Sequence, residues 1–221
     1  MKRLNRNFIF KIAVDGGGAT GKSTGCKLIA RKFKMNFLSS GALYRYCALK
    51  ILENKNSYNV KFINKIAKSI TIKKLNNKKL YSPEVAKISS KIAKKKFVRK
   101  SLKDFQVNFI HKSKLVVIEG RDIGSKIMPN ADLKIFFKCS IKEKAKRRLN
   151  EFRKTDKKIT LNEVEKALKQ RDYEDRKRKI SPLIMARNAV LVDTTNLSVK
   201  QMEDKLINLV RKSIKKKYGN L

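Results

Sequence analysis

The chain has 221 residues, 41% of them hydrophobic, with nine Gly and three Pro, so it can bury a sizeable core and is neither disordered, collagen-like nor a disulfide framework. Lys and Arg number 57 against 18 Asp and Glu, and the formal net charge of +39 suits a polyanionic partner, a substrate carrying several phosphates, or a lysine-rich composition spread over solvated faces. Runs such as Lys94-Lys95-Lys96 and Lys215-Lys216-Lys217 are short and scattered rather than gathered into a tail, which favours the solvated faces.

The basic start, Met1 to Arg6, leads into an apolar run from Phe8 to Val14 that Lys11 interrupts and that ends in Asp15-Gly16, not in a small-residue cleavage site. No uninterrupted apolar stretch reaches the ~20 residues of a membrane span, so a soluble, cytoplasmic protein without a membrane partner is expected. Phe8 to Val14 is the first of five expected buried strands; the others are Asn36 to Leu38, Leu115 to Glu119, Leu133 to Phe137 and Val190 to Val192. Helical spacing links Leu43, Tyr44, Cys47, Ala48 and Ile51, and again Val199, Met202, Leu206, Leu209 and Val210. Strands alternating with helices imply a mainly parallel sheet covered on both faces.

The stretch from about Glu53 to Asp104, rich in Lys, Asn and Ser, reads as an insert, with a small hairpin around Asn76-Asn77 within Ser69 to Tyr81. Ser140-x-x-Glu143 and Thr160-x-x-Glu163 are capping-box patterns that open helices, and the polar connection Lys154 to Lys158 between those helices reads as a flap. Cys26, Cys47 and Cys139 are too far apart for a metal or redox pair, and His111, the one histidine, has no ligand partner at metal spacing.

Gly16-Gly17-Gly18-Ala19-Thr20-Gly21-Lys22-Ser23 fits G-x-x-x-x-G-K-[ST] at every fixed position, between an expected strand and an expected helix. There, backbone N–H groups turn inward around phosphate oxygens, Lys22 reaches the outer phosphates, and Ser23 offers a hydroxyl to Mg²⁺. The pattern reads as a nucleoside-triphosphate cradle. Asn64-Lys65-Ile66-Ala67 lacks the Asp that closes a guanine-reading motif, which counts against a GTPase. Glu119 ends the third strand, either to hold Mg²⁺ through water or as an ordinary strand-end acid.

Arg45 follows Ser40-Gly41-Ala42 after the second strand, and Arg121 follows the third in Gly120-Arg121-Asp122-Ile123-Gly124. Ligands of open parallel sheets lie outside the C-terminal strand edges, so both arginines should face a second anion near the glycine loop. Asp122 is either the ion-pair partner of Arg121 or an acceptor for a base amino group. The stripe of Val164 and Leu168 continues through Arg171, Asp175 and Arg178, which would meet phosphates in a cleft or form a self-satisfied salt bridge on a surface helix.

Together with Pro129-Asn130-Ala131-Asp132, Arg171-Asp172-x-x-Asp175-Arg176-x-Arg178, Ser181-Pro182-Leu183 and Asp193-Thr194-Thr195, these motifs make the chain resemble the bacterial cytidylate kinases from about Ile9 to Leu209. The resemblance implies one domain over residues 1–221: an α/β P-loop kinase core with a five-stranded parallel sheet flanked by helices, a small nucleoside-monophosphate-binding insert at about 53–104 and a short lid at about 148–160. It implies transfer of the γ-phosphoryl group of ATP, with Mg²⁺, to CMP or dCMP by a monomer that has no specific nucleic-acid partner. Gly16, Gly17, Gly18, Ala19, Thr20, Gly21, Lys22, Ser23 and Thr24 would bind ATP, and Ser23 and Glu119 the metal. Carried over by position, Arg45, Arg121 and Arg178 would hold the acceptor phosphate, Ser90, Arg99 and Asp122 would read cytosine, Arg171 and Asp175 would contact the ribose or phosphate, and Ser40 would bind the substrate. Lys22, Arg121, Arg178 and lid arginines drawn from Arg147, Arg148 and Arg153 would neutralise the transferred group.

The chain departs from the family pattern in having Glu119 where Asp usually precedes Gly-Arg-Asp, Ser39-Ser40 in place of Asp-Ser, and a shortened segment between Ile70 and Ser90. Rival readings are a P-loop kinase acting on UMP, AMP or an alcohol, and an ATPase or RNA-binding module that uses the charge; no aromatic stacking or RNA-binding signature supports the latter.

Overall fold

The computed structural model describes residues 8–55, 57–153 and 159–219. The sheet has five strands in the order β2-β3-β1-β4-β5: β1 (Phe10–Gly16), β2 (Asn36–Ser39), β3 (Leu115–Gly120), β4 (Leu133–Lys138) and β5 (Val190–Asp193). β1 pairs in parallel with β3 and β4, and β4 with β5. The central strand therefore carries the glycine loop at its C-terminal end, with the Arg121 loop leaving β3 beside it. β1 is mostly apolar, Lys11 and Asp15 excepted, because it is buried on both faces, the condition under which alternation disappears.

The helices are α1 (Lys22–Phe33), α2 (Ser40–Glu53), α3 (Val60–Lys68), α4 (Pro83–Ile92), α5 (Lys96–His111), α6 (Ile141–Phe152), α7 (Leu161–Lys177) and α8 (Val199–Tyr218). α1 and α8 cover one side of the sheet, where Phe10, Ile12, Cys26, Phe137, Leu206 and Val210 lie wholly or nearly wholly buried in one core. A smaller cluster of Ala145, Leu149, Val164 and Leu168 zips α6 to α7. Thr160 closes a complete capping box with Glu163, whereas Ser140 accepts from the Glu143 N–H at 3.3 Å. The flap read at Lys154 to Lys158 lies outside the described residues.

The chain divides into two compact units, one of residues 1–38 and 114–221, the other of Ser39–Ser113. From Ser40 on, the regular elements among the second unit's described residues are all helical. Where a hairpin was expected around Asn76-Asn77, two short 3₁₀ turns occur instead, at Lys73–Asn76 and Lys78–Tyr81. The Asn77 side chain accepts from the Lys79 N–H at 2.9 Å, a local bond that competes with a strand ladder, and Leu75 and Leu80 bury without needing strand alternation.

Candidate active site

The glycine loop is held open by backbone that few residues tolerate. Gly21 has φ 82° and Ala19 φ 54°, so left-handed residues interrupt the loop and turn its N–H groups toward one centre at the start of α1. The Lys22 ammonium lies in this loop, donating to the Gly17 carbonyl at 2.9 Å and standing 3.7 Å from Glu119 Oε2. Burial, followed by the charge of Arg121, pushes its pKa down to about 8, with Glu119 opposing. A cation held where its charge is costly is one that a phosphate would stabilise.

Ser23 Oγ donates to Glu119 Oε1 at 2.7 Å, so β3 and α1 bring a hydroxyl and a carboxylate together at the mouth of the loop. Glu119 is 4% exposed, and its Oε2 has no hydrogen-bond partner. These are hard oxygen donors, and the pair fits Mg²⁺, which keeps several waters and takes further ligands from substrate phosphates. Among the described residues no group of three or more His, Cys, Asp or Glu gathers at metal spacing.

Facing the loop is a cluster of guanidinium groups. Arg121 Nε donates to Asp175 Oδ2 at 2.8 Å, and Arg178 Nη1 lies 3.4 Å from Asp175 Oδ1. Lys22 feels the charges of both Arg121 and Arg171, and a Cβ at Gly18 would stand 3.9 Å from Arg121 Nη2. Burial opposes the charge on Arg121, but Asp175 outweighs it and holds the guanidinium above its usual range. Burial likewise raises Asp175, yet Arg121, Arg171 and Arg178 hold it below the usual carboxylate range. Of the two readings of the charged stripe, the salt bridge is present, though not on a surface helix and not confined to one helix. Asp175 does bridge arginines, but it is buried, and it takes Arg121 from the β3 loop as well as Arg178 from its own helix's end. Asp122, 4% exposed, follows Arg121 directly.

Ser40, Arg45, Ser90 and Arg99 all belong to the unit of Ser39–Ser113. Within it Ser40 is buried at the start of α2. Arg45 donates to the Leu80 carbonyl at 3.0 Å and lies over the Tyr81 ring, while Arg99 donates to the Ala93 carbonyl at 3.2 Å and lies over Tyr44. Ser90 is half-buried on α4. Of the lid arginines, Arg148 pairs with Glu151 at 2.8 Å over the Phe152 ring, and Arg153 is exposed just past α6. Arg147 has a buried-side role: its guanidinium donates to Thr194 Oγ1 and O, and Thr194 Oγ1 in turn donates to the Thr20 carbonyl at 2.9 Å, tying the loop after β5 to the glycine loop.

Asp172, Lys144 and Asp15 take on a role only in the structure. Lys144 of α6 pairs with Asp172 of α7, and a Cβ at Gly17 would come within 2.9 Å of Asp172 Oδ1, so a side chain there would require Asp172 to shift. The Asp15 carboxylate is 3% exposed and accepts the N–H groups of Ile123 and Gly124. Its signal in the sequence is an acid at the end of an apolar run.

A family model described as cytidylate kinase matches residues 12–212. A cytidylate kinase of Thermotoga maritima is 38% identical over 214 residues, covering 91% of this chain and 97% of that protein. One from Fusobacterium nucleatum is 39% identical over 216 residues, covering 93% and 97%. Among solved structures, a gluconokinase from Sinorhizobium meliloti aligns with TM-score 0.51 at 13% identity over 98% of this chain and 100% of its own. A shikimate kinase from Bacteroides thetaiotaomicron aligns with TM-score 0.51 at 13% identity over 91% and 97%. The structural likenesses establish the P-loop kinase fold.

Proposed function

The chain belongs to the cytidylate kinase family, and from that premise and the geometry above we propose that it transfers the γ-phosphoryl group of ATP to CMP or dCMP, releasing ADP and CDP or dCDP. The observation that carries the reading is the cluster of buried Lys22 and Asp175 with half-buried Arg121, Arg171 and Arg178 beside an intact glycine loop: guanidinium groups opposite the donor's cradle suit an acceptor that is itself a phosphate.

In this mechanism the glycine-loop N–H groups and Lys22 hold the donor phosphates, and Arg121 and Arg178 hold the acceptor phosphate in line with them. An oxygen of the CMP phosphate attacks the γ-phosphorus, and the bond to the β–γ bridging oxygen breaks as ADP leaves. The nucleophile arrives ionised, so no general base is required. Ser23 and Glu119 would hold Mg²⁺, which would supply charge neutralisation for the donor phosphates. Lys22 and Arg121 are fixed before substrate arrives, which is what makes their charge effective.

Arg45, Ser40 and Arg171 are proposed to complete the acceptor's hold, and Asp122, Ser90 and Arg99 to select cytosine, as their positions in the family pattern imply; Arg148 and Arg153 are proposed to act on the transferred group. The insert is proposed to bind the nucleoside monophosphate and residues 148–160 to form the lid. The chain is proposed to act as a cytoplasmic monomer. Its three cysteines are free thiols, in keeping with a reducing compartment, and among the described residues no helix is long and apolar enough to cross a membrane.

The reading is tested by ADP production from ATP across CMP, dCMP, UMP and AMP. CMP is expected to exceed UMP and AMP in kcat/KM by at least about tenfold, since a base amino group that meets a fixed carboxylate acceptor is lost in UMP. Equal rates across the panel would overturn the cytosine assignment. Turnover stimulated by polynucleotide, with little response to CMP, would favour the nucleic-acid-binding ATPase.

A further inference from the structure

We propose that Asp15 is a positioning residue for the acceptor half of the site: its carboxylate caps the turn that follows Arg121 and Asp122, and so fixes where those side chains stand. The inference rests on the acceptor roles proposed for Arg121 and Asp122 above.

Ile123–Ile127 forms a single π-helical turn, a rare element that recurs at functional sites. Like any helical start, it opens with N–H groups that have no partner within the turn. Asp122 occupies the N-cap position, where an Asp ordinarily accepts from those groups with its own side chain, yet it makes no such bond. The task falls to Asp15 instead, 108 residues away in sequence. Its Oδ1 accepts the Ile123 N–H at 2.8 Å and its Oδ2 the Gly124 N–H at 2.7 Å. The Asp122 carbonyl meanwhile accepts from the N–H groups of Lys126 and Ile127, at 2.9 and 3.2 Å. The backbone at Asp122 is thus clamped on both sides, and the Asp122 side chain is not committed to capping its own turn.

An ionised carboxylate is suited to this double acceptance. Burial pushes the Asp15 pKa up to about 6, against the two backbone N–H groups that pull it down, with Asp122 raising it and Arg121 lowering it further. An amide of the same shape would offer one acceptor oxygen and turn an N–H toward the other donor. Gly124 completes the fit, because a Cβ there would stand 3.2 Å from both Asp15 Oδ2 and Ala186 Cβ. Asp15 also lies immediately before Gly16, so the side chain that orders the acceptor loop springs from the strand that delivers the donor loop.

The test is steady-state kinetics of Asp15→Asn and Gly124→Ala, with CMP and UMP as acceptors, alongside thermal denaturation. Asp15→Asn is expected to raise KM for CMP by about tenfold or more while KM for ATP stays within about twofold, and to shrink the CMP-over-UMP preference, because a displaced Asp122 no longer reads the base. Gly124→Ala should shift the same parameters in the same direction by crowding the clamp from its other side. The proposal is overturned if KM values for ATP and CMP rise in parallel, or if folded Gly124→Ala keeps the wild-type KM for CMP; the latter decides the matter even if Asp15→Asn does not fold. A wild-type chain that shows no preference for CMP would instead overturn the cytosine reading, a failure visible before any variant is made.

Discussion

Arg121→Ala is expected to lower kcat/KM for CMP by about 10²- to 10³-fold, or about 3–4 kcal/mol of transition-state stabilisation. Arg121 is fixed by Asp175 at 2.8 Å and lies close enough to the glycine loop for its charge to depress Lys22, which supports the proposal that its guanidinium acts between donor and acceptor phosphates. Alanine removes that charge and also withdraws one of the cations that hold Asp175 ionised, although Arg171 and Arg178 remain around it. For that reason the rate loss should exceed the stability loss. Arg121→Lys restores a charge but not the planar fork, and should recover only part of the rate. Wild-type kcat/KM in a folded Arg121→Ala variant would remove Arg121 from the site.

The second large effect separates activity from stability. Lys22→Met should abolish phosphoryl transfer to within about 10²-fold or less of background, yet leave Tm at or above that of the wild-type chain. Burial and Arg121 lower the Lys22 pKa to about 8, so at pH 7 the folded chain carries an ammonium that the unfolded chain holds more comfortably. The cost is fully present below pH 8 and is relieved as pH rises from there toward the ordinary lysine value. Methionine keeps the unbranched shape without the charge, and Glu119 retains its hydrogen bond from Ser23. Circular dichroism melts of both proteins at pH 7 check this: a fall in Tm accompanying the loss of activity would mean that Lys22 is chiefly structural.

The residues that sequence alone exposes are those whose neighbours in sequence are also their neighbours in function. The glycine loop is legible because strand, turn and helix follow one another within a few residues, and β1 and β3 because burial on both faces leaves nearly continuous apolar runs. Arg121 and Arg178 were legible as loop and helix-face arginines, and the Asp175–Arg178 pair as a helical spacing, but the bond from Arg121 to Asp175 emerges only once α7 is packed against the β3 loop. Asp15 was opaque because its donors lie 108 and 109 residues away, and Lys144 because its partner Asp172 belongs to the next helix. The segment of Ser69 to Tyr81 misled for a different reason: alternating apolar residues satisfy a strand pattern as readily as they satisfy two short turns whose side chains bond to their own backbone. A composition rich in Lys, Asn and Ser marks the middle of the second unit, whereas the unit itself runs from Ser39 to Ser113, since the apolar faces of α2 and α5 that bind it together look like any core helix.

At the centre stands the claim that the acceptor atom is a phosphate oxygen, held by arginines opposite the glycine loop. The direct measurement is the fate of label from ATP carrying ³²P in the γ position, incubated with the purified chain and CMP. The label is expected to appear as the β-phosphoryl group of CDP, in step with ADP formation and with little inorganic phosphate. Label that is released as inorganic phosphate whether or not CMP is present, or that reaches an alcohol in place of the CMP phosphate, would contradict it.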